Sequence, residues 1–403
     1  MNILFLTLSE ITNLHERGLY LDLIHKLAAE GNTVTVINPS ERRRESNTEL
    51  IQTGHINLLK VRTPNLQKAN NIEKAVGTVL LECLLIRAID KYLKNEKYDL
   101  FIYTTPPVTI TRLIRRVKKM TGATTYLLLK DIFPQNAVDL QMMRGKSVIY
   151  NYFRRKEKLL YALSDYIGCM SPANVQYLLD HNPEIERTKV EIFPNSISPL
   201  GCPVSVEERE IIHKKYNLPF GRTLFIYGGN IGKPQATEFL IEVLQSNISN
   251  ESVYFVIAGS GTEYYKVKRW FNNNRPANAC LKPFMAKEEF DRLVGSCDIG
   301  MIFLDKRFTV PNYPSRLLTY MENRLPVIMA TDRHTDIGKI AEENGYGFWC
   351  ESGDLMMFNS FISQLSENKE LRKTMGDRAF DYLLKNYTVD VAAAKILEKF
   401  STP

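Results

Sequence analysis

The chain has 403 residues, 44% of them apolar and 24% charged, with a formal net charge of +7; that is the composition of a globular protein too long for one ordinary core. Its six cysteines (83, 169, 202, 280, 297 and 350) are scattered, with no C-x-x-C pair and no nearby histidine set, which argues against a structural zinc site and for a reducing cytoplasm. The opening MNILFLTL lacks a basic region and a cleavage site and reads as a strand, and the most apolar later run, 79–86, is broken by Glu82 and stops at Arg87, far short of a membrane span.

In chain order, the first half alternates short apolar strands with amphipathic helices. Strands are predicted at 2–8, 33–37, 57–60, 100–103, 124–129, 166–170 and 190–193. A helix over 17–30 follows the first of them, with Gly31 suited to the left-handed position after its end. Residues 101–158 concentrate the charge, with 12 Lys+Arg against 3 Asp+Glu. Arg112, Arg115, Arg116, Lys118 and Lys119 share one predicted helix. Tyr150, Tyr152, Phe153, Arg154, Arg155, Lys156 and Lys158 share another, preceded by Met142, Met143 and Arg144. Aromatic and long apolar side chains beside cations suit the headgroup region of an anionic membrane; a solvated charged face is the structural alternative. No recognition motif accompanies the charge, so nucleic acid is the poorer partner.

Residues 198–209, rich in proline, glycine and polar side chains, read as the boundary loop between two domains. The second half repeats the same grammar, with strands at 223–228, 253–258, 299–303, 326–330 and 347–349 and helices at 235–245, 263–271 and 288–295. A last helix spans 389–400. Such alternation implies two parallel sheets covered on both faces, and ligands in such folds bind at the C-terminal ends of the strands.

Three segments carry the functional signal. In 310–328, VPNYPSRLLTYMENRLPVI, Pro311 and Pro314 hold an extended stretch and Ser315 stands where a helix N-cap belongs. Leu317, Leu318 and Met321 supply an apolar face, and Pro326 leads into a buried strand. Arg316 beside backbone N–H groups at a helix start suits an anion. In 227–233, YGGNIGK, glycines between a strand and a helix let backbone approach a diphosphate, although an ordinary βα turn looks the same. In 127–134, LLLKDIFP, a buried strand ends in the charged pair Lys130–Asp131.

The first of these resembles the P-S-K-x-x-E-Y-M-A-x-G-x-P-V signature of family-4 glycosyltransferases of the GT-B fold, matched at Ser315, Tyr320, Met321, Pro326 and Val327, with Arg316 in place of lysine. The resemblance extends over nearly the whole chain and is closest to the branch that adds N-acetyl-L-fucosamine-type sugars in bacterial capsule and O-antigen assembly. That branch's features are E-R-G-x-Y-x-D-L at 16–23, K/R-D-x-x-P at 130–134 and G-N-x-G-x-x-Q at 229–235.

The resemblance implies an α/β GT-B fold of two Rossmann-like domains facing across a cleft. Residues 1–197 would face the acceptor and the membrane, 198–388 would hold the nucleotide sugar, and 389–403 would cross back onto the first domain. It implies a UDP-sugar donor, an undecaprenyl-diphosphate-linked acceptor and a cytoplasmic protein held peripherally at the inner face of the membrane. No metal or cofactor is expected, because cationic side chains and helix starts neutralise the diphosphate.

Donor-binding residues by this likeness are Gly18, Gly229, Asn230, Lys233, Gln235, Gly259, Gly261, Ser315, Arg316 and Thr319. Asn230 and Gln235 replace the family's arginine and lysine, so the charge is assigned to Lys233 and Arg316. Pro311 and Thr319 stand where relatives carry two glutamates, which leaves Thr319, backbone groups or Glu322 for the ribose; a solvated helix position is the plainer reading of Glu322. Asp131 is the candidate base, tuned by Lys130, with Glu16 its rival and a turn-capping role its structural alternative. His15, Arg17, Arg154, Arg155 and Lys156 are assigned to the acceptor and the membrane. An epimerase of UDP-N-acetylglucosamine sharing the fold and a non-catalytic scaffold are the alternatives.

Overall fold

The computed structural model describes residues 1–9, 11, 13–14, 16–44, 47–65, 71–200 and 204–400. Two compact units emerge: residues 1–197 together with 392–403, and residues 198–391.

The first unit is built on an eight-stranded sheet. Its strands are β1 (Asn2–Leu6), β2 (Thr33–Glu41), β3 (Glu49–Thr53), β4 (Ile56–Thr63), β5 (Leu100–Thr104), β6 (Thr124–Leu129), β7 (Tyr166–Cys169) and β8 (Val190–Ile192), in the order β3-β4-β2-β1-β5-β6-β7-β8. The central strands are continuous apolar runs because helices cover both faces; every residue of β5 is buried. The expectation of a wholly parallel sheet needs one correction. β3 pairs antiparallel with β4, Thr53 opposite Ile56. The tight Thr53-Gly54-His55 turn, with Gly54 at φ 59, makes that hairpin, and the half-exposed β3 closes the sheet edge.

The second unit has six parallel strands, β9 (Thr223–Asn230), β10 (Val253–Ser260), β11 (Ala279–Lys282), β12 (Ile299–Phe303), β13 (Val327–Thr331) and β14 (Gly347–Glu351), ordered β11-β10-β9-β12-β13-β14. Its core runs from Phe225, Tyr227 and Phe255 through Phe303 to Phe358 and Phe361. The helix Val389–Leu397 carries the chain back into the first unit. There Lys395 Nζ donates to the Ile192 carbonyl (2.6 Å) and Lys399 pairs with Glu191 (3.0 Å).

The 198–209 stretch is not all loop. A helix starts at Val206, where Ser205 and Glu208 form a reciprocal capping box. That Ser-x-x-Glu spacing stands in the sequence; the surrounding glycine and prolines mask it.

Candidate functional site

In the second unit the site begins where β9 and β10 run out side by side. Their register continues past the predicted strand ends, to Gly259 opposite Gly229 and Ser260 opposite Asn230. A Cβ on Gly259 would collide with the Gly229 carbonyl and one on Gly261 with the Ile231 carbonyl; both positions have positive φ. Only glycine fits there. Beyond the strands, Ile231 N–H donates to the Ser260 carbonyl (2.8 Å) and Glu263 N–H to the Ile231 carbonyl (2.9 Å). The result is bare backbone at the C-terminal end of the sheet.

Arg316 comes to this backbone from the helix Arg316–Glu322. Its Nη2 donates to Gln235 Oε1 (2.6 Å) and more weakly to the Asn230 carbonyl (3.5 Å). Its guanidinium lies over the Tyr227 ring, 4.5 Å from the centroid. Nη1 is buried and meets no acceptor among the described residues. Every partner just named is neutral, so the charge stays uncompensated, and a buried N–H without an acceptor is costly. An anionic oxygen would satisfy both. The Tyr227 platform was missed in the sequence, where that residue reads as one more apolar position of a strand.

The helix carrying Arg316 is pinned by Tyr320, whose fully buried hydroxyl donates to the Met301 carbonyl and accepts from Gly228 N–H, each at 3.2 Å. Leu317, Leu318 and Met321 are buried as their spacing predicts. Two expectations fail in this segment. Ser315 has helical backbone angles and makes no capping bond, leaving an exposed hydroxyl. Glu322 is buried and accepts from Leu200 N–H (2.6 Å), so it is neither solvated nor directed at a ribose.

Thr319 is half-buried, and its carbonyl accepts from the Asn323 side chain (2.9 Å). Lys233 is exposed on the short turn that follows Gly232. The loop before the Arg316 helix is held from the turn after β13, where Thr335 donates its hydroxyl to the Asn312 carbonyl (2.6 Å). In that same turn, the fully buried Asp332 accepts from His334 and Thr335 N–H, both at 2.8 Å. Its second oxygen finds no partner among the described residues, and burial pushes the carboxyl up to about 6.

In the first unit, Thr105 Oγ1 accepts from Lys130 N–H (2.9 Å) and Asp131 N–H (3.3 Å), fixing the chain at the end of β6. The Asp131 side chain is reached by water, yet protein crowded around it disfavours its charged form and raises its pKa. Lys130 does not tune it. Its Nζ donates instead to the Phe193 carbonyl (3.1 Å) and lies 5.4 Å from the centre of the Phe193 ring, where desolvation lowers the ammonium to about 7. Desolvation, not a neighbouring cation, accounts for the Asp131 shift.

Gly18 is fully extended and a Cβ there would meet only ordinary contact, so local geometry alone does not demand glycine; its N–H donates to Asp22 (2.9 Å). Glu16 is exposed in a turn whose N–H donates to the Asn13 carbonyl (3.3 Å), and Arg17 beside it is half-buried. His15 lies outside the described residues.

The basic helix divides. Arg154 is structural, not a surface contact: Nη1 bonds the buried Glu157 (2.7 Å), and Nη2 bonds the His181 carbonyl (2.8 Å) and Asn182 (2.7 Å). Lys156 turns toward Thr111 (3.5 Å), while Arg155 is exposed. Among the described residues no helix is long and apolar enough to cross a membrane.

With this geometry in view, residues 208–382 match the family model of glycosyl transferases group 1. The matched stretch lies within the second unit. The chain is 23% identical over 309 residues to the "Probable glycosyltransferase WbjE" of Pseudomonas aeruginosa, covering 75% of this chain and 73% of that one. Among solved structures it is similar to sucrose-phosphate synthase from Thermosynechococcus elongatus (TM-score 0.75, 11% identity, 99% and 98% of the two chains). It is also similar to Anabaena Alr3699/HepE in complex with UDP (TM-score 0.69, 14% identity, 99% of each chain). Both likenesses place the two parallel-sheet units in the GT-B fold.

Proposed function

We propose that the group 1 domain serves a metal-independent transferase that moves a sugar, N-acetyl-L-fucosamine in this reading, from a UDP-sugar to an undecaprenyl-diphosphate-linked saccharide in capsular polysaccharide or O-antigen synthesis, at the inner face of the cell membrane. The observation that carries the donor class is the uncompensated Arg316 guanidinium beside the bare backbone of Gly229 and Gly259. A structural relative held in complex with UDP supports the same class.

As the bond from the sugar's anomeric carbon to the diphosphate oxygen breaks, negative charge grows on the departing UDP. Arg316 and Lys233 neutralise it, and Gln235 holds the guanidinium in place. The acceptor hydroxyl oxygen bonds the anomeric carbon, and its proton passes to the Asp131 carboxylate. The branch likeness at 16–23, 130–134 and 229–235 supports the sugar, and the basic 101–158 region supports a lipid-linked acceptor.

The test is a panel of UDP-sugars offered with lipid-linked saccharides and read by mass spectrometry. Transfer from UDP-N-acetyl-L-fucosamine is expected, and Arg316→Ala should lower kcat/KM by roughly 10²–10³. Unchanged turnover in both Arg316→Ala and Lys233→Ala would overturn the phosphate assignment, and epimerised donor without transfer would overturn the reaction class.

A further inference from the structure

We infer that the start of the helix Val148–Leu163 and the loop before it form a wedge that inserts into an anionic lipid surface; the inference rests on the membrane-side reading above and locates it at particular atoms. Four large apolar side chains stand in water here: Val148 is 86% exposed, Met142 67%, Ile149 61% and Tyr152 49%. Val148 and Tyr152 are four residues apart and Ile149 and Tyr152 three, so the three share the first turns of one helix face. Isolated exposed apolar residues need no explanation, but a contiguous set does.

This wedge is rigidly presented. Ser147 caps the helix by accepting from Tyr150 N–H (3.2 Å), and the helix is anchored by Phe153, edge-on to Phe133 at 4.9 Å, and by buried Glu157, Leu160 and Tyr161. Arg144 and Lys146 on the loop and Arg155 on the helix are exposed around it. From 140 to 156 the sequence holds five cations and no carboxylate. Apolar tips ringed by cations match an interface whose interior is hydrocarbon and whose surface is phosphate. The apolar side chains, not the Arg154–Lys156 run, make the contact. Arg154 is bound internally, and Lys156 lies 5.8 Å from the Tyr152 ring centre and reaches Thr111.

The full chain is tested by co-sedimentation with phosphatidylcholine vesicles with and without phosphatidylglycerol. The wild type should bind the phosphatidylglycerol vesicles. Val148→Ser/Ile149→Ser should weaken binding at least tenfold at every salt concentration. Arg144→Glu/Lys146→Glu should lose the preference for anionic lipid. Circular dichroism and UDP titration of each variant without lipid report whether the fold and the donor site survive. Wild-type binding retained in folded Val148→Ser/Ile149→Ser protein overturns the wedge. So does a wild type that ignores vesicles, or one that loses self-association, seen by sedimentation velocity, only in that variant. Vesicle binding by a protein that does not bind UDP would instead leave the wedge standing and defeat the transferase reading.

Discussion

At the residue scale, Asp131 shows how position sets chemistry. The aspartate at the end of a buried strand was visible in the sequence, but its partner was not. Lys130 follows the same strand, and the sequence reading has it tuning the pKa of its neighbour. The folded chain sends its ammonium to the Phe193 carbonyl, so Asp131 is shifted by desolvation alone. In the proposed role of base Asp131 must be deprotonated to accept a proton, so its raised pKa would move the acidic limb of activity upward, above the ordinary carboxylate value of 3.8. Asp131→Asn is therefore expected to lose most of kcat and that limb in a pH–rate profile. Glu16→Gln should keep both, and the reverse result would make Glu16 the base.

At the element scale, the turn after β13 holds the loop that delivers Arg316, and its Asp332 is an acid buried at a cost. A carboxyl whose pKa rises from 3.8 to about 6 on folding binds more protons in the native than in the unfolded state between those values. Its contribution to stability therefore falls as pH climbs through that window and is flat above it. Asp332→Asn keeps an oxygen for the His334 and Thr335 N–H groups and does not titrate. Denaturant unfolding at a series of pH values should show the variant gaining on the wild type from about pH 4 to about pH 6, then holding its gain. Elements differ in legibility for a like reason. The 316–322 helix was readable from Leu317, Leu318 and Met321, whose spacing is a local property. Its capping was not, because Ser315 takes helical angles and leaves its hydroxyl exposed.

At the scale of the whole molecule, a ligand that binds only the folded second unit stabilises it by mass action, on the order of 2.7 kcal/mol at a hundred times its Kd. UDP should raise the thermal unfolding temperature of the wild type and leave that of Arg316→Ala nearly unmoved. Treatment with EDTA should not alter the wild-type shift if side-chain cations alone hold the diphosphate; a shift lost on chelation and restored by a divalent ion would reassign that role to a metal.

The alternation of strands and helices, the two α/β halves and the glycine turn at 227–233 were determined by the sequence itself, because hydrophobic period and glycine placement are written residue by residue. The tertiary structure alone decided which side chains meet. Gln235, Tyr227 and Arg316 are separated by up to 89 positions yet form one cationic centre, and Glu322, a surface residue by helical pattern, is buried where it accepts from the Leu200 N–H. It also divided a run of basic residues into Arg154, bonded within the fold, and Arg155, left to water. Charge is visible in a sequence, but the partner that neutralises it, and the burial that gives it force, exist only once distant segments pack.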